Sequence, residues 1–305
     1  MVANKWRRPF SAIAGLAKSL RNARDTVAPD APAGWPAGHF YSPIASLADV
    51  RRREGRIFNV PTSLAGIDLN DEGQCRTVAA IAAHFSVIVL PEKTRPGIRF
   101  YYDNPNIGHG EALIYSALLR QVRPKRVIEI GSGFSTLLLL DTLDQLRDNA
   151  TSCTCIEPYP DLLHSLISSR DSARIEIRAC AAQDADLAWF EGLQSGDILF
   201  VDSTHVSKVG SDVNHILFEI LPRLNSGVYV HFHDVYYPFE YPKKWVFEGR
   251  NWNEAYLLRG FLQFNSGFTI QCFNSYLGHF HPELFRDTVP LFLENPGSSL
   301  WLRRA

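Results

Sequence analysis

The residues best suited to chemistry stand at the ends of short apolar runs. The first run ends in Glu129-Ile130-Gly131-Ser132-Gly133-Phe134-Ser135-Thr136. Gly131 and Gly133 permit a tight turn and let a ligand approach the backbone. Ser135 or Thr136 is an N-cap for a following helix. Glu157 ends the second run, 24 residues beyond Gly133. An acid about 20 residues past such glycines suits hydrogen bonding to ribose hydroxyls. Asp202 ends another run within FVDSTH, and His231-Phe232-His233-Asp234 ends the next. Histidine suits a general base because its unperturbed pKa is about 6.5. Alternation puts Tyr229, His231 and His233 on one face, with His233 nearest the ligand end and His231 deeper. His205 and His233 are therefore the candidate bases, with Asp234 orienting the base or binding a cation.

These residues need elements to position them. Strand candidates are 126–130, 152–156, 173–179, 197–201, 227–233, 267–273 and 298–303. Helical candidates between them are 135–147, 160–170, 185–193, 211–224 and 253–265. Strands alternating with helices indicate a parallel α/β sheet with helices on both faces. The connection before the last strand differs. Residues 277–294 form a helix-like stretch bracketed by prolines, followed by a Pro296-Gly297 turn. A seventh strand reached that way suits an antiparallel insertion at the sheet edge. Ligands of such sheets bind outside the carboxyl ends of the strands. Upstream, 74–90 shows helical spacing and then the apolar run SVIVL, 98–104 reads as extended, and 110–121 reads as an amphipathic helix ended before Pro124.

Composition narrows the partners. The chain has 305 residues, 46% hydrophobic and 21% charged, with a formal charge of −1. That balance argues against nucleic acid, whose binders carry a global or clustered positive excess. No run of about 18 apolar residues is present, so no membrane-spanning helix is expected. The five cysteines follow no C-x-x-C spacing and read as reduced, buried thiols, which places the protein in the cytoplasm. One asymmetry stands out. The first 24 residues carry Lys5, Arg7, Arg8, Lys18, Arg21 and Arg24 and no acid. With Phe10, Ile13, Leu16 and Leu20 at helical spacing, this is either a basic amphipathic helix making peripheral membrane contact or a solvated arm. A Pro/Gly-rich passage follows at 29–48. The expected organisation is a basic arm at 1–30, an extension or cap at 31–124 and a ligand-binding domain at 125–305.

A dinucleotide enzyme would want G-x-G-x-x-G, and no third glycine follows in phase here. The pattern instead resembles the first motif of class I S-adenosylmethionine-dependent methyltransferases, E/D-x-G-x-G-x-G, with Ser135 in place of the last glycine. The runs FYYDNPNIGHGEALIYSALLRQVRPKRVIEIGSGFST, FVDSTHVSKVGSDVNHILFEILPRLNSGVYVHFHDVYYPFEYP and RNWNEAYLLRGFL are similar to the bacterial methyltransferase family 24 branch. With GHFYSP and GIDLN, the resemblance covers roughly residues 38 to 305.

The resemblance implies a Rossmann-like seven-stranded sheet, mostly parallel, with strand seven antiparallel between strands five and six. It implies that Gly131, Ser132 and Gly133 pass under the methionine part of S-adenosylmethionine. Glu129 would organise that loop or approach the cofactor's amino group, and Glu157 would take the ribose. Gln183 and Asp184 would lie near adenine. Asp202 belongs to the same mouth. Catechol-type relatives hold Mg²⁺ with strand-end acids, and Asp202 and Asp234 match these loosely. Mg²⁺ favours oxygen ligands, whereas His233 stands where an acid is usual. The expected reaction is O-methylation of a small molecule or a sugar or glycan unit. A non-catalytic S-adenosylmethionine-binding protein and an NAD(P)-type oxidoreductase are the alternatives. The aromatic loop 236–242, with Trp245 and Trp252, either lines the acceptor pocket or packs the N-terminal extension onto the sheet.

Overall fold

The apolar run 198–201 is buried at every residue, and 126–130 at every residue after the first. That is the signature of strands covered on both faces. A computed structural model describes residues 34–305. The basic arm, 1–30, lies outside the described residues. The chain divides into two compact units, up to Arg52 and from Arg53 onward. In the described part of the first unit, a turn stacks Trp35 on His39, with ring centroids 4.4 Å apart, and a helix spans Leu47–Arg52.

The second unit contains seven strands: β1 (Arg126–Ile130), β2 (Ser152–Ile156), β3 (Ile175–Arg178), β4 (Ile198–Val201), β5 (Tyr229–Phe232), β6 (Phe268–Phe273) and β7 (Leu300–Arg304). Their order is β3-β2-β1-β4-β5-β7-β6. The pairs from β3 through β5 are parallel, and β7 is antiparallel to both β5 and β6. This is the Rossmann-like methyltransferase sheet expected above. The order reverses at β1, so the carboxyl ends of β1 and β4 form the switch point where ligands bind.

Alternation sorts the strand residues into two cores. Ile128, Ile130, Leu199, Val201, Val230 and Phe232 belong to one, and Val127, Cys155, Phe200 and Trp301 to the other. Three helices matter for the site. The helix α1 (Asp71–Phe85) packs on β6, and α2 (His109–Val122) packs on both α1 and α3 (Phe134–Gln145). Leu113, Tyr115 and Leu118 of α2 join the second core, so α2 lies on the sheet face that carries Phe200 and His231. A further helix, α4 (Glu254–Leu262), buries Ala255, Leu258 and Leu262 in the first core.

Three expected elements are broken. Residues 160–170 form a helix, Asp161–Leu166, and the start of a second, Ser169–Ser172, which Ser168 caps. Residues 277–294 form parts of three short helices, Asn274–Phe280, Glu283–Arg286 and Leu291–Glu294, because Pro282 and Pro290 remove amide donors. Residues 211–224 begin as helix and end as a π turn, Ile216–Ile220, and a 3-10 turn, Leu221–Arg223, at Pro222. Among the described residues, no helix is long and apolar enough to cross a membrane.

Candidate active site at the ends of β1, β4 and β5

The glycine turn is held from beneath by Glu129. Its Oε2 accepts a 2.5 Å hydrogen bond from Thr136 Oγ1, which in turn accepts from the Gly133 amide at 3.2 Å. The Cys155 thiol lies 3.6 Å from the same Glu129 oxygen. Glu129 is 1% exposed, and burial pushes its carboxyl up to about 7. Its Oε1 and the Ser132 hydroxyl are buried without hydrogen-bond partners. A cationic amino group is the ligand chemistry that would satisfy this carboxylate.

A test follows from the direction of that shift. The folded protein binds the Glu129 proton more tightly than the unfolded chain, whose value is near 4.5. Ionised Glu129 therefore costs little below about pH 4.5. The cost grows as pH rises and levels off at roughly 3 kcal/mol above pH 7. Glu129→Gln is expected to gain stability relative to the parent between pH 4.5 and pH 8, measured by urea unfolding. An unchanged difference across that range would refute the assignment.

Glu157 sits just past β2. Its Oε2 accepts from the Ser132 amide at 3.3 Å and its Oε1 from the Tyr159 amide at 2.8 Å. It therefore ties the glycine turn to the loop after β2. Gln183 and Asp184 lie on the exposed turn Ala182–Asp184 after β3.

Asp202, His205, His233 and Asp234 converge. The Asp202 amide donates to Ile130 O and the His233 amide to Val201 O, which extends the β1–β4–β5 ladder by one residue at each end. His205 Nε2 lies 3.3 Å from Asp202 Oδ1 and 3.7 Å from Asp234 Oδ2. His233 Nδ1 lies 3.5 Å from Asp202 Oδ1 and 3.6 Å from Asp234 Oδ2. Both His205 and Asp234 adopt left-handed backbone, at φ 59° and 57°. Non-glycine residues in that conformation are uncommon and concentrate at functional sites.

Two glutamates back the histidines. His205 Nδ1 meets Glu254 Oε2 at 2.9 Å, and the Asn253 and Glu254 amides donate to His205 O. The start of α4 thus clamps this loop. His233 Nε2 lies 3.2 Å from Glu111 Oε1 of α2. Burial disfavours charge on both rings, but the surrounding carboxylates outweigh it. Asp202 and Glu254 push His205 up to about 10. Asp234, Glu111 and Asp202 hold His233 well above its ordinary value. His231 goes the other way. Burial, then the charge of His233, holds it well below the ordinary value. It stacks on Phe200 at 3.9 Å and its Nε2 meets Ser299 Oγ at 2.7 Å, as a neutral core residue does.

Part of the aromatic loop packs the extension onto the sheet. Tyr237, Phe239 and Tyr241 are buried, and the Tyr237 hydroxyl donates to Pro61 O of the extension at 2.6 Å. Trp252 instead packs on the His205 ring at 4.4 Å, with Trp245 edge-on to it at 5.4 Å.

Residues 128–235 match a family model described as a methyltransferase domain. That span contains the glycine turn, Glu157 and the whole Asp202–Asp234 cluster. The chain contains a methyltransferase domain. The methyltransferase is also 36% identical over 170 residues to an uncharacterized protein of Archaeoglobus fulgidus, covering 54% of this chain and 76% of that one. Among solved structures it is similar to a SAH-bound methyltransferase of Podospora anserina (12% identity, 85% of this chain and 95% of that chain, TM-score 0.41). It is also similar to the O-methyltransferase of Bacillus cereus in complex with SAH (16%, 73% and 88%, TM-score 0.37). A third is the O-methyltransferase TomG of Streptomyces achromogenes (18%, 73% and 87%, TM-score 0.36).

Sequence reasoning missed Glu111 and Glu254 at this site and read Ser135 or Thr136 as an N-cap, whereas Gly133 caps α3 and both side chains lie in its first turn, with Thr136 bonded to Glu129. Glu111 and Glu254 stand in the first turns of their helices, where an acid normally reads as a complement to the helix dipole.

Proposed function

We propose that this methyltransferase acts on a hydroxyl oxygen of a small molecule or glycan unit, at the mouth between β4 and β5. One observation carries the reading. Gly131 of the glycine turn touches the backbone of Asp202 so closely that a Cβ there would overlap the Asp202 carbonyl oxygen. A ligand on the turn and a ligand on the histidine–carboxylate cluster are therefore neighbours. Methyl transfer needs that proximity, because alignment of donor and acceptor supplies much of the rate.

Glu129 and 131–133 would hold the methionine end of S-adenosylmethionine, Glu157 the ribose, and Gln183 and Asp184 the adenine. S-adenosylmethionine supplies a methyl group on a sulfonium, open to in-line displacement. Trp252 packs on His205 and Arg250 lies over the Trp245 and Trp252 rings at 4.4 and 5.4 Å, so an acceptor ring beside His205 would meet this cation–aromatic cluster. A hydroxyl acceptor has to lose its proton during transfer. His205 and His233 are assigned to that proton, and Asp234, within 3.7 Å of both, to their orientation. Among carboxylates these rings keep their own protons near neutral pH, so the base form emerges only when positive charge enters the cluster. All five cysteines are free, in keeping with a cytoplasmic enzyme.

The test is transfer of labelled methyl groups to a panel of hydroxylated acceptors, with cofactor binding followed by calorimetry. His205→Ala and His233→Ala are expected to bind S-adenosylmethionine like the parent and to lose about 100-fold or more in methyl transfer. Full activity in both variants would refute the assignment.

A further inference from the structure

We propose that His205 Nε2, His233 Nδ1, Asp202 and Asp234 form a binding site for one divalent transition-metal ion, built on nitrogen donors rather than as an all-oxygen Mg²⁺ site. The two imidazole nitrogens and one Asp202 oxygen lie within 4.8 Å of one another. The four nitrogen–oxygen separations across the cluster run from 3.3 to 3.7 Å. These exceed a good hydrogen bond but match the spacing of donors around one ion. These are four of the six edges of a donor tetrahedron, and a regular one with edges of that length has its corners about 2.0–2.3 Å from its centre, the range of Zn–N and Zn–O bonds.

The donors are also built as ligands. Each histidine presents one nitrogen to the cluster and the other to a buried glutamate. Glu254, on α4, holds Nδ1 of His205, and Glu111, on α2, faces Nε2 of His233. A carboxylate behind a ligating imidazole fixes the ring and its tautomer and raises its basicity. The two rings are mirror choices, one offering Nε2 and the other Nδ1, so the backing and not the residue type selects the donor. His233 is 4% exposed, and neither of its nitrogens has a partner in hydrogen-bond geometry. A buried ring among three acids, Glu111, Asp202 and Asp234, with no nitrogen in hydrogen-bond geometry is a place where an ion can replace the ring's proton.

Ligand chemistry chooses the ion. Mg²⁺ prefers oxygen donors in strict octahedral array, whereas imidazole favours Zn²⁺, Co²⁺ and related ions. The Mg²⁺ pair of Asp202 and Asp234 suggested by resemblance would leave both imidazole nitrogens inside the ligand sphere. This inference rests on the site of the proposed function and changes one role in it: with the ion bound, the two ring nitrogens would be ligands and not the base, and its test does not depend on turnover.

The experiment titrates chelator-treated full-length protein with Zn²⁺, Co²⁺ and Mg²⁺ separately. The readouts are calorimetry, elemental analysis after desalting and the visible spectrum of the Co²⁺ form. One Zn²⁺ or Co²⁺ per chain is expected, with Mg²⁺ at least about 100-fold weaker. Glu254→Gln is expected to lower Co²⁺ affinity about 10–100-fold and to shift the spectrum, and His233→Ala to lower it further. Asp202→Asn serves as a second ligand variant if His233→Ala does not fold. Mg²⁺ binding as tight as Zn²⁺, no binding of any ion, or parent-like Co²⁺ affinity in the folded ligand variants would each overturn the site. S-adenosylmethionine binding, measured on the same samples, keeps the methyltransferase reading separate: it survives if the metal fails.

Discussion

Gly131→Ala is expected to abolish cofactor binding and methyl transfer in a protein that remains only marginally folded. Gly131 has φ 82°, a left-handed conformation that costs an alanine about 1–2 kcal/mol. The larger penalty is steric. The added Cβ would overlap the carbonyl oxygen of Asp202 and lie 3.2 Å from its carbonyl carbon. That neighbour is backbone, fixed by the Asp202 amide bonding back to Ile130 O at 2.8 Å. Relief therefore requires the end of β1 to move away from the end of β4. We expect a loss of at least about 3 kcal/mol in unfolding free energy. The displaced turn would carry Ser132 away from Glu157, whose 3.3 Å contact fixes the turn from the other side. Misplacement by about 1 Å at such a site costs on the order of 100-fold. Calorimetric titration with S-adenosylmethionine checks the first effect and urea unfolding the second. Parent-like cofactor affinity would show that the turn is not the cofactor loop.

Much of this fold could be read in the sequence, and the reason is local. Strands buried on both faces appear as short Val/Ile/Leu runs, so β1 and β4 stand out against the helical spacing around them. Residues bound to one strand end, such as Asp202 and His233, are legible for the same reason, because the end of an apolar run marks the mouth of the sheet. What depends on approach between distant segments is not legible. Glu254 lies 49 positions from His205 and Glu111 lies 122 positions from His233, and only tertiary packing turns these helix-start acids into histidine partners. The run 86–90 shows the converse. Its valines, Val87 and Val89, are 54% and 56% exposed because no strand pairs there, so apolar content alone did not fix an element.

Glu111 is the residue whose loss should be felt at every level, because one carboxylate joins the extension, the sheet and the reacting centre. Its Oε2 accepts from the Gly108 amide at 2.7 Å, which fixes the start of α2. Its Oε1 accepts from the amide and hydroxyl of Ser298 at 3.0 and 2.9 Å, at the entry to β7. The same oxygen faces His233 at 3.2 Å. The packing leaves no slack, since a Cβ on Gly297, at φ 79°, would overlap the Glu111 side chain. Glu111→Ala would strand the buried Ser298 amide and the half-buried Gly108 amide, while the Ser298 hydroxyl keeps Asp234 Oδ1 at 3.0 Å, and it would leave the His233 ring without its backing acid. Breaking a buried ionic arrangement from one side costs about 3–5 kcal/mol. Glu111→Gln keeps one acceptor oxygen, but its amide nitrogen must point a donor at either Gly108 or Ser298. An intermediate loss of about 1–3 kcal/mol is expected for it. Urea midpoints should therefore fall in the order parent, Gln, Ala. Methyl transfer in the Gln variant should drop in kcat with little change in KM for the cofactor, because the glycine turn is untouched while His233 loses its orientation. An Ala variant as stable as the parent would mean that Glu111 is solvated in solution, and the tie between α2 and the cluster would have to be abandoned.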